Sequence, residues 1–222
     1  MFGAGGGIGG ALTSQLRDNQ RFDRVVDLSR SSEPAIDFLT EASLREAAVF
    51  VAAQSEVRLV VVATGFLHDE AHSPEKSWRE LDYAHMARSF ALNAIRPALI
   101  MKHLLPLLPR QRKSVFATLS ARVGSIGDNR AGGWYTDRAS KAALNRLVRT
   151  EAVKLARRST YGLCIALHPG TVATSLSAPF VANGLEAHPS LSAARHLLAV
   201  VDQLTAEASG GFFDWPRQPV PG

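Results

Sequence analysis

The chain has 222 residues, of which 46% are hydrophobic and 20% charged, with a formal net charge of +5. These values predict one globular domain over residues 1–222, large enough to bury a single core. No apolar run approaches the about 20 residues that span a bilayer, and the start has neither the basic nor the apolar region of a secretory signal. The basic clusters at 110–113 and 157–158 fall at expected helix ends, where cations complement the helix dipole. No nucleic-acid recognition motif lies beside them, so nucleic-acid binding is not predicted.

A glycine-rich turn opens the chain, and its candidate cofactor-binding residues are Gly3, Gly5, Gly7, Ile8 and Gly9. Glycines at this spacing let the backbone turn tightly and approach a pyrophosphate, whose charge is then bound at a helix N-terminus. Such a turn normally follows a strand of about five or six residues, and only two residues precede it here. We therefore expect a dinucleotide cradle behind a truncated first strand, with a flexible glycine-rich leader as the alternative.

Apolar strand-like runs alternate with helical patterns along the rest of the chain. This alternation predicts an α/β fold, a Rossmann-like doubly wound parallel sheet with helices on both faces. Helices are predicted over 8–19, 40–54, 83–108, 138–157 and 191–205. Strands are predicted over 24–29, 35–38, 59–63, 114–119, 161–167 and 211–213. Pro97 is expected to bend the third of these helices.

The residues suited to chemistry follow the predicted strand ends, where open parallel sheets bind their ligands. The motifs at these positions are Gly3–Gly9, Ala63-Thr64-Gly65, Asn93, Leu119–Ser125, Gly132–Tyr135, Arg138–Asn145 and Pro169–Thr174. With these motifs the chain resembles the short-chain dehydrogenase/reductase family, and within it the Sniffer-type carbonyl reductases and C-factor signalling proteins. The resemblance implies hydride exchange between a nicotinamide cofactor and a small carbonyl or alcohol substrate. It also implies homodimers or homotetramers built on the helices over 83–108 and 138–157.

The resemblance assigns roles around the substrate oxygen, which gains negative charge as hydride arrives and needs a proton donor and preorganised hydrogen bonds. It implies that Ser120 donates such a bond and that Asn93 anchors a water in the proton relay. It implies that Lys141 holds the nicotinamide ribose and lowers the pKa of a tyrosine. Each residue also has a purely structural alternative. Ser120 would then be a turn residue at the end of its strand, and Asn93 an amide inside a helix that is hydrogen-bonded to the backbone.

The proton donor is where the chain departs from the family pattern. In the family a tyrosine lies four residues before the lysine, and that position here is Asp137. A carboxyl with a reference pKa of about 3.9, favoured in its ionised form by Lys141, is expected to hold no proton at neutral pH. Tyr135 is the nearest substitute, but six residues before Lys141 it lies about 120° away on a helix. It could serve only if the chain there is not yet helical, and we expect a loop residue beside the substrate mouth.

The second predicted strand ends at Ser29, Arg30 and Ser31, where an adenosine ribose would lie. An arginine with two hydroxyls suits a 2′-phosphate, whereas the competing acidic residue, Asp27, falls within the strand. NADP(H) is therefore favoured over NAD(H). The resemblance implies further cofactor contacts. Asp37 would contact the adenine, and Thr64 and Gly65 would lie behind the cofactor. The residues around the carboxamide would be Pro169, Gly170, Val172 and Thr174. The alternative for Asp37 is a cap of the following helix.

Apolar residues near the expected substrate mouth are Phe66, Leu67, Val123 and the segment 176–185, which would enclose a hydrophobic carbonyl compound or simply pack as loops. His68 and His168 have no spacing that predicts a metal site. Cys164 lies in an apolar stretch and is expected to be a buried thiol. The expected localisation is cytoplasmic.

The leading interpretation is an NADP-dependent oxidoreductase whose proton transfer is impaired or rerouted by Asp137. The alternative is a catalytically silent nucleotide-binding protein that signals or acts as a scaffold. A third interpretation is an error in the nucleotide sequence, with a misassigned start codon and one wrong base in the codon for Asp137. Tyrosine and aspartate codons can differ at a single nucleotide.

Overall fold

The structure is a computed structural model and describes residues 1–182, 184 and 186–222. Its α-helices are α1 (Gly7–Asp18), α2 (Glu41–Gln54), α3 (Tyr83–Phe90), α4 (Arg96–Leu104), α5 (Tyr135–Ala156), α6 (Ala178–Val181) and α7 (Ser190–Gln203). Its β-strands are β1 (Leu59–Val62), β2 (Ser114–Leu119), β3 (Gly162–His168) and β4 (Phe212–Asp214). A π-helical segment, Ala91–Ile95, joins α3 to α4. Within the described residues, none of the helices combines the length and the apolar character needed to cross a membrane.

In the described part of the chain, the four strands form one parallel sheet in the order β1-β2-β3-β4. Val60 pairs with Phe116, Phe116 with Cys164, and Ala166 with Phe212. All six residues of β2 are buried, as expected for a parallel strand covered on both faces. The predicted parallel sheet is confirmed, and the last four predicted strands lie within one or two residues of β1 to β4.

Helices cover both faces of the sheet because alternate strand residues point to opposite sides. One face packs against α2, α4 and α5, and its buried residues include Val60, Phe116, Cys164, Leu44, Ile100 and Leu144. The other face packs against α1 and α7, and its buried residues include Val61, Ala117, Ile165, Leu12 and Leu197. The predicted doubly wound arrangement is therefore confirmed.

The first strand is reduced to Phe2, which bridges Leu28 on one side and Val62 on the other. Its N–H donates to the Val61 carbonyl at 2.8 Å, and its carbonyl accepts from the Ala63 N–H at 2.9 Å. The strands predicted over 24–29 and 35–38 are wrong. Neither segment forms a β-ladder: Leu28 makes a single bridge, to Phe2, and the Ile36 N–H donates to the Ser29 carbonyl at 2.8 Å.

A cleft of about 440 Å³ continues the line of Met1 and Phe2, between the segment 21–28 and the start of β1. The Met1 ammonium donates to the Val26 carbonyl at 2.8 Å at the end of this cleft, and burial lowers the pKa of that amino group to about 6. Since strand residues alternate in the direction of their backbone groups, those of Leu59 and the N–H of Val61 point to the cleft side rather than towards β2, while the Val61 carbonyl is bonded to Phe2. The cleft thus lies along an edge of β1 to which a strand could pair.

The helix predicted over 83–108 is instead three helical stretches, followed by a 3-10 turn at Leu105–Leu107. The π-helical segment lies directly before Pro97. Proline has no N–H for the carbonyl four residues earlier, and its ring crowds the preceding turn, so a wider turn there relieves the clash. The bend expected at Pro97 stays a prediction, and the structure adds this local widening of the helix at 91–95. The fifth helix also starts three residues earlier than predicted, at Tyr135.

We expect that adding about six apolar residues before Met1 raises the melting temperature, because a strand in the cleft would pair backbone groups worth about 1–3 kcal/mol each when buried. Each kcal/mol gained corresponds to about 2–4 °C for a chain of this size. Thermal unfolding measures the effect, and an extension of equal length made of glycine and serine is the control. Identical melting of the two extended chains would contradict the expectation.

Candidate active site

The candidate active site is a cavity of about 430 Å³ at the carboxyl ends of the parallel strands. The predicted site residues that line it are Ile8, Thr64, Gly65, Ser120, Asp137, Lys141, Pro169, Gly170, Val172 and Thr174. The predicted substrate-side residues that line it are Phe66, Leu67, Val123, and Leu176 and Phe180 of the segment 176–185; His168 lines it too, whereas His68 does not. Leu185, the end of the predicted apolar segment, lies outside the described residues. Asn93 and Tyr135 do not line the cavity.

The glycine turn has the geometry of an anion cradle. Gly3 adopts φ +84°, and a Cβ on Gly9 would lie 2.1 Å from the Gly3 carbonyl oxygen, so the turn tolerates no side chain at either position. The cap residue of α1 is Gly6, which offers no side chain to the first N–H groups of the helix. These N–H groups and the helix dipole suit a pyrophosphate. The turn is therefore part of a folded site, and a flexible leader is excluded.

The loop after β3 closes against this cradle. Gly170 adopts φ +76°, a backbone conformation that favours glycine. The Thr174 methyl group lies so close to Gly7 that a Cβ there would be 2.7 Å from it. The Thr174 hydroxyl is 3.4 Å from the Ser177 hydroxyl. The cradle and the loop thus form one continuous wall.

Two buried hydroxyls in the cavity have no hydrogen-bond partner in the residues that the structure describes: Ser120 Oγ and Thr64 Oγ1. A buried hydroxyl left unpaired costs about 1–3 kcal/mol, so such groups normally meet a ligand or a water. The Ser120 N–H donates to the Leu167 carbonyl at 2.8 Å, which fixes this residue at the strand exit. The arrangement leaves the Ser120 hydroxyl available to a bound oxygen.

Asn93 and Lys141 are fixed by protein groups. The Asn93 side chain accepts from the Phe66 N–H and donates to the Phe66 carbonyl, each at 2.8 Å, and it donates to Ser140 Oγ at 3.1 Å. This is the backbone-bonded arrangement given above as its alternative. Lys141 Nζ donates to the Leu119 carbonyl at 3.2 Å, and burial lowers the pKa of this ammonium. The sequence did not reveal the link through Ser140, which also donates to the Asp137 carbonyl at 3.0 Å.

Asp137 lies in the first turn of α5 and is 8% exposed at the cavity wall. Burial raises the pKa of its carboxyl to about 6, opposed by the cations of Lys141 and Arg138 and assisted by the negative charge of Glu75. Lys141 favours the ionised form, as expected, but desolvation outweighs that attraction and raises the pKa of the carboxyl; at about 6, the carboxyl is still mostly ionised at neutral pH. In the described part of the chain, the carboxylate accepts no hydrogen bond.

The position of Tyr135 also corrects the sequence prediction. It is the first residue of α5 and not a loop residue, since the helix begins directly after Trp134, whose φ is +50°. Buried Glu75 holds this start: its carboxylate accepts from the Thr136 N–H at 3.1 Å and from the Thr136 hydroxyl, as a carboxylate at a helix N-terminus does. Trp134 lines the cavity in place of Tyr135. Glu75 is distant in sequence, so the pattern around residue 135 gave no signal of this cap.

The expected adenosine end lies beside Ser29, Arg30 and Ser31. The hydroxyls of Ser29 and Ser31 are 3.2 Å apart, and Arg30 is exposed. Asp27 is occupied by an ion pair with Arg17 at 2.7 Å. Burial lowers the pKa of the Arg96 guanidinium to about 10, and the positive charge of nearby Arg30 acts in the same direction. Arg30 and Arg96 therefore bring two positive charges to this end of the site, which the Asp37 carboxylate offsets in part.

Asp37 does not cap α2, which corrects the alternative given for it. Its carboxylate accepts from the Leu39 N–H at 2.8 Å, and Thr40 occupies the cap position. On the substrate side, the His68 ring lies 5.8 Å from Phe180 and its Nε2 is 2.9 Å from the Leu176 carbonyl. Burial lowers the pKa of His168 to about 4, so its imidazole is neutral.

The parallel doubly wound sheet, the glycine cradle and the cavity at the strand ends define a Rossmann-like dinucleotide-binding protein. A family model described as enoyl-(acyl carrier protein) reductase matches residues 9–203. With this match and the relatives below, the chain belongs to the short-chain dehydrogenase/reductase family and is an oxidoreductase of that type.

Two curated relatives are similar in sequence. The C-signal protein of Myxococcus xanthus is 37% identical over 142 residues, covering 64% of this chain and 81% of the relative. The 1-hydroxy-2-glutathionyl-2-methyl-3-butene dehydrogenase of a Rhodococcus species is 33% identical over 225 residues, covering 96% and 93%. The first supports the resemblance to the C-factor branch.

Two solved structures share the fold. The carbonyl reductase Sniffer of Drosophila melanogaster superposes with a TM-score of 0.81 at 18% identity, covering 100% of this chain and 97% of the other. An NADPH-bound carbonyl reductase from chicken fatty liver superposes with a TM-score of 0.80 at 21% identity, with the same coverage. At these identities the likeness shows the fold.

We expect Asp137→Asn to stabilise the chain increasingly as pH rises. The folded-state pKa of about 6 lies above the unfolded value, so the natural chain loses stability as pH rises from about 4 through about 6, whereas asparagine does not titrate. The difference in unfolding free energy should grow by about 1–3 kcal/mol across that window. Urea unfolding at several pH values measures it. A pH-independent difference would mean that the Asp137 pKa is not raised.

Proposed function

We propose that the chain is an NADP(H)-dependent reductase that interconverts a small carbonyl compound and its alcohol. The observation that carries the proposal is the unpartnered Ser120 hydroxyl, which shares one cavity with Lys141 behind the glycine cradle. A donor aimed at the place where an oxygen gains charge is what hydride addition to a carbonyl requires. The NADPH named in the chicken carbonyl reductase structure supports the cofactor.

The residues present fit a nicotinamide dinucleotide. The pyrophosphate would be held by the N–H groups at the start of α1, the ribose by Lys141, and the 2′-phosphate by Arg30 with Ser29 and Ser31. The unpartnered Thr64 hydroxyl and the loop over 169–174 complete the wall on which the cofactor would lie. When bound, the cofactor supplies or accepts a hydride at its nicotinamide ring.

The chain's own contribution is to orient the carbonyl and to provide its proton. Ser120 donates a hydrogen bond to the substrate oxygen, and the apolar residues Phe66 and Val123 exclude water from it. With a pKa of about 6, Asp137 is mostly protonated below that pH and mostly ionised above it. Ketone reduction by the natural chain is therefore fastest in acid and slow at neutral pH.

The alternative is a nucleotide-binding signalling or scaffold protein without turnover. It is favoured by one observation, the carboxylate in place of the family's phenol, and by the similarity to C-signal. NADPH binding without oxidation by any ketone or diketone at any pH would support this alternative. A homodimer or homotetramer, a cytoplasmic location and the organisation as one domain stay predictions.

We expect NADPH to bind more tightly than NADH, and Arg30→Asp to abolish or reverse the preference. A charge-assisted contact between Arg30 and the 2′-phosphate is worth about 1.5–3 kcal/mol. Titration calorimetry of both cofactors measures the preference, with Arg24→Asp as a control for the change in net charge. Equal affinity of the natural chain for the two cofactors would rule out this role of Arg30.

Asp137→Tyr should increase the reduction of a reactive ketone at neutral pH by about 10²–10⁴-fold, because a positioned general acid contributes that much. The new phenol would lie one helical turn before Lys141, on the same face. Tyr135→Phe is the matched control and should change little. If Tyr135→Phe removes the activity and Asp137→Tyr adds none, Tyr135 is the working acid.

A further inference from the structure

One group at the reacting end of the cavity does not suit carbonyl reduction. A neutral carbonyl becomes an alkoxide as hydride arrives, so it needs a proton and positive or donor groups nearby. Asp137 instead brings a carboxylate that accepts no hydrogen bond from the described residues and faces the cavity. A buried carboxylate of this kind is stabilised by a cation.

We propose that the preferred substrates of this site are organic iminium cations, whose C=N⁺ carbon accepts a hydride beside the Asp137 carboxylate. This inference rests on the hydride transfer of the proposed function and puts a C=N⁺ carbon in place of the carbonyl carbon as the preferred acceptor. The positive charge of the substrate complements Asp137, and the substrate needs no proton from the protein.

The walls beside Asp137 also suit a cation of moderate size. Trp134 and Phe180 line the cavity, with ring centroids 5.1 Å apart and planes inclined by 49°. Aromatic faces attract organic cations, most strongly where water is excluded. Leu67 and Val123, which also line the cavity, offer apolar contacts to the rest of such a cation.

The reaction balances without a proton donor. A hydride, carrying two electrons, forms a C–H bond at the iminium carbon, and the C=N π pair becomes the lone pair of the nitrogen. The products are a neutral amine and the oxidised nicotinamide. The missing phenol, which impairs ketone reduction, is therefore no obstacle to this reaction.

The charged groups that face Asp137 are Lys141 and Arg138 on α5 and Glu75 from the segment before α3. Lys141 opposes a bound cation, but its ammonium is directed to the Leu119 carbonyl and burial lowers its pKa. Since burial raises the pKa of Asp137 to about 6, the carboxylate predominates above that pH. Iminium binding and reduction should thus increase as pH rises through about 6, whereas ketone reduction should decrease.

The first test measures binding without the cofactor. A saturated quaternary cation, N,N-dimethyl-tetrahydroisoquinolinium, is titrated into the full chain by calorimetry at about pH 8 and about pH 5. We expect binding at the higher pH that weakens about tenfold or more at the lower pH and in Asp137→Asn. Asp202→Asn, which removes a surface carboxylate paired with Arg21, is the matched control and should leave binding unchanged. Equal binding by the natural chain and Asp137→Asn overturns the proposal.

The second test measures turnover with NADPH at about pH 8. The permanently charged N-methyl-3,4-dihydroisoquinolinium is compared with 2-tetralone, and the reaction without protein is subtracted. We expect kcat/KM for the iminium to exceed that for the ketone by about 100-fold or more, and Asp137→Asn to lose this preference. A natural chain that binds NADPH and reduces the ketone in preference overturns this inference and leaves the proposed function standing. Failure to bind NADPH at all overturns the proposed function itself.

Discussion

The contact on which the site depends is the one between the Glu75 carboxylate and the start of α5. By accepting from both the N–H and the hydroxyl of Thr136, Glu75 decides at which residue the helix begins. Once that residue is Tyr135, the helical period directs Asp137 into the cavity beside Lys141 and directs Tyr135 away from it. A helix that began three residues later would leave residue 135 in a flexible loop and change which side chain meets the substrate.

The same region shows how burial alters the chemistry of a carboxylate. Asp137 lies between two cations on its own helix and a second carboxylate, yet its removal from water has the larger effect on its pKa. Neighbouring Lys141 is affected in the opposite sense, since burial disfavours its charged form too. Asp137 and Lys141 thus share a cost of desolvation that a ligand of suitable charge can relieve.

Sequence periodicity was sufficient for the elements that have complete neighbours. The strand at 59–62 is apolar throughout and the strand at 114–119 is mainly apolar, which is the pattern of strands covered on both faces. The glycine turn was recognisable because its spacing is a steric requirement. The segment 24–29 has an equally strand-like composition, but a strand also needs a partner along its length, and composition does not report that. The helix start at Tyr135 depends on Glu75, 60 positions earlier, and the π-helical segment depends on how Pro97 is accommodated. Such features arise from tertiary contacts, and a local pattern cannot contain them.

Phe2 has a consequence for how the two ends of the nucleotide site communicate. It joins the segment ending at Leu28 to β1, and the cradle begins at the next residue, Gly3, whose N–H donates to the Leu28 carbonyl. An anion bound in the cradle therefore also restrains Phe2, the residue next to the cradle. Phe2 in turn keeps the segment ending at Leu28, on the adenosine side, aligned with β1. Opening of this edge of the sheet and release of the anion become one linked equilibrium, in which an edge joined to the sheet through one residue acts as the entrance to its own ligand site.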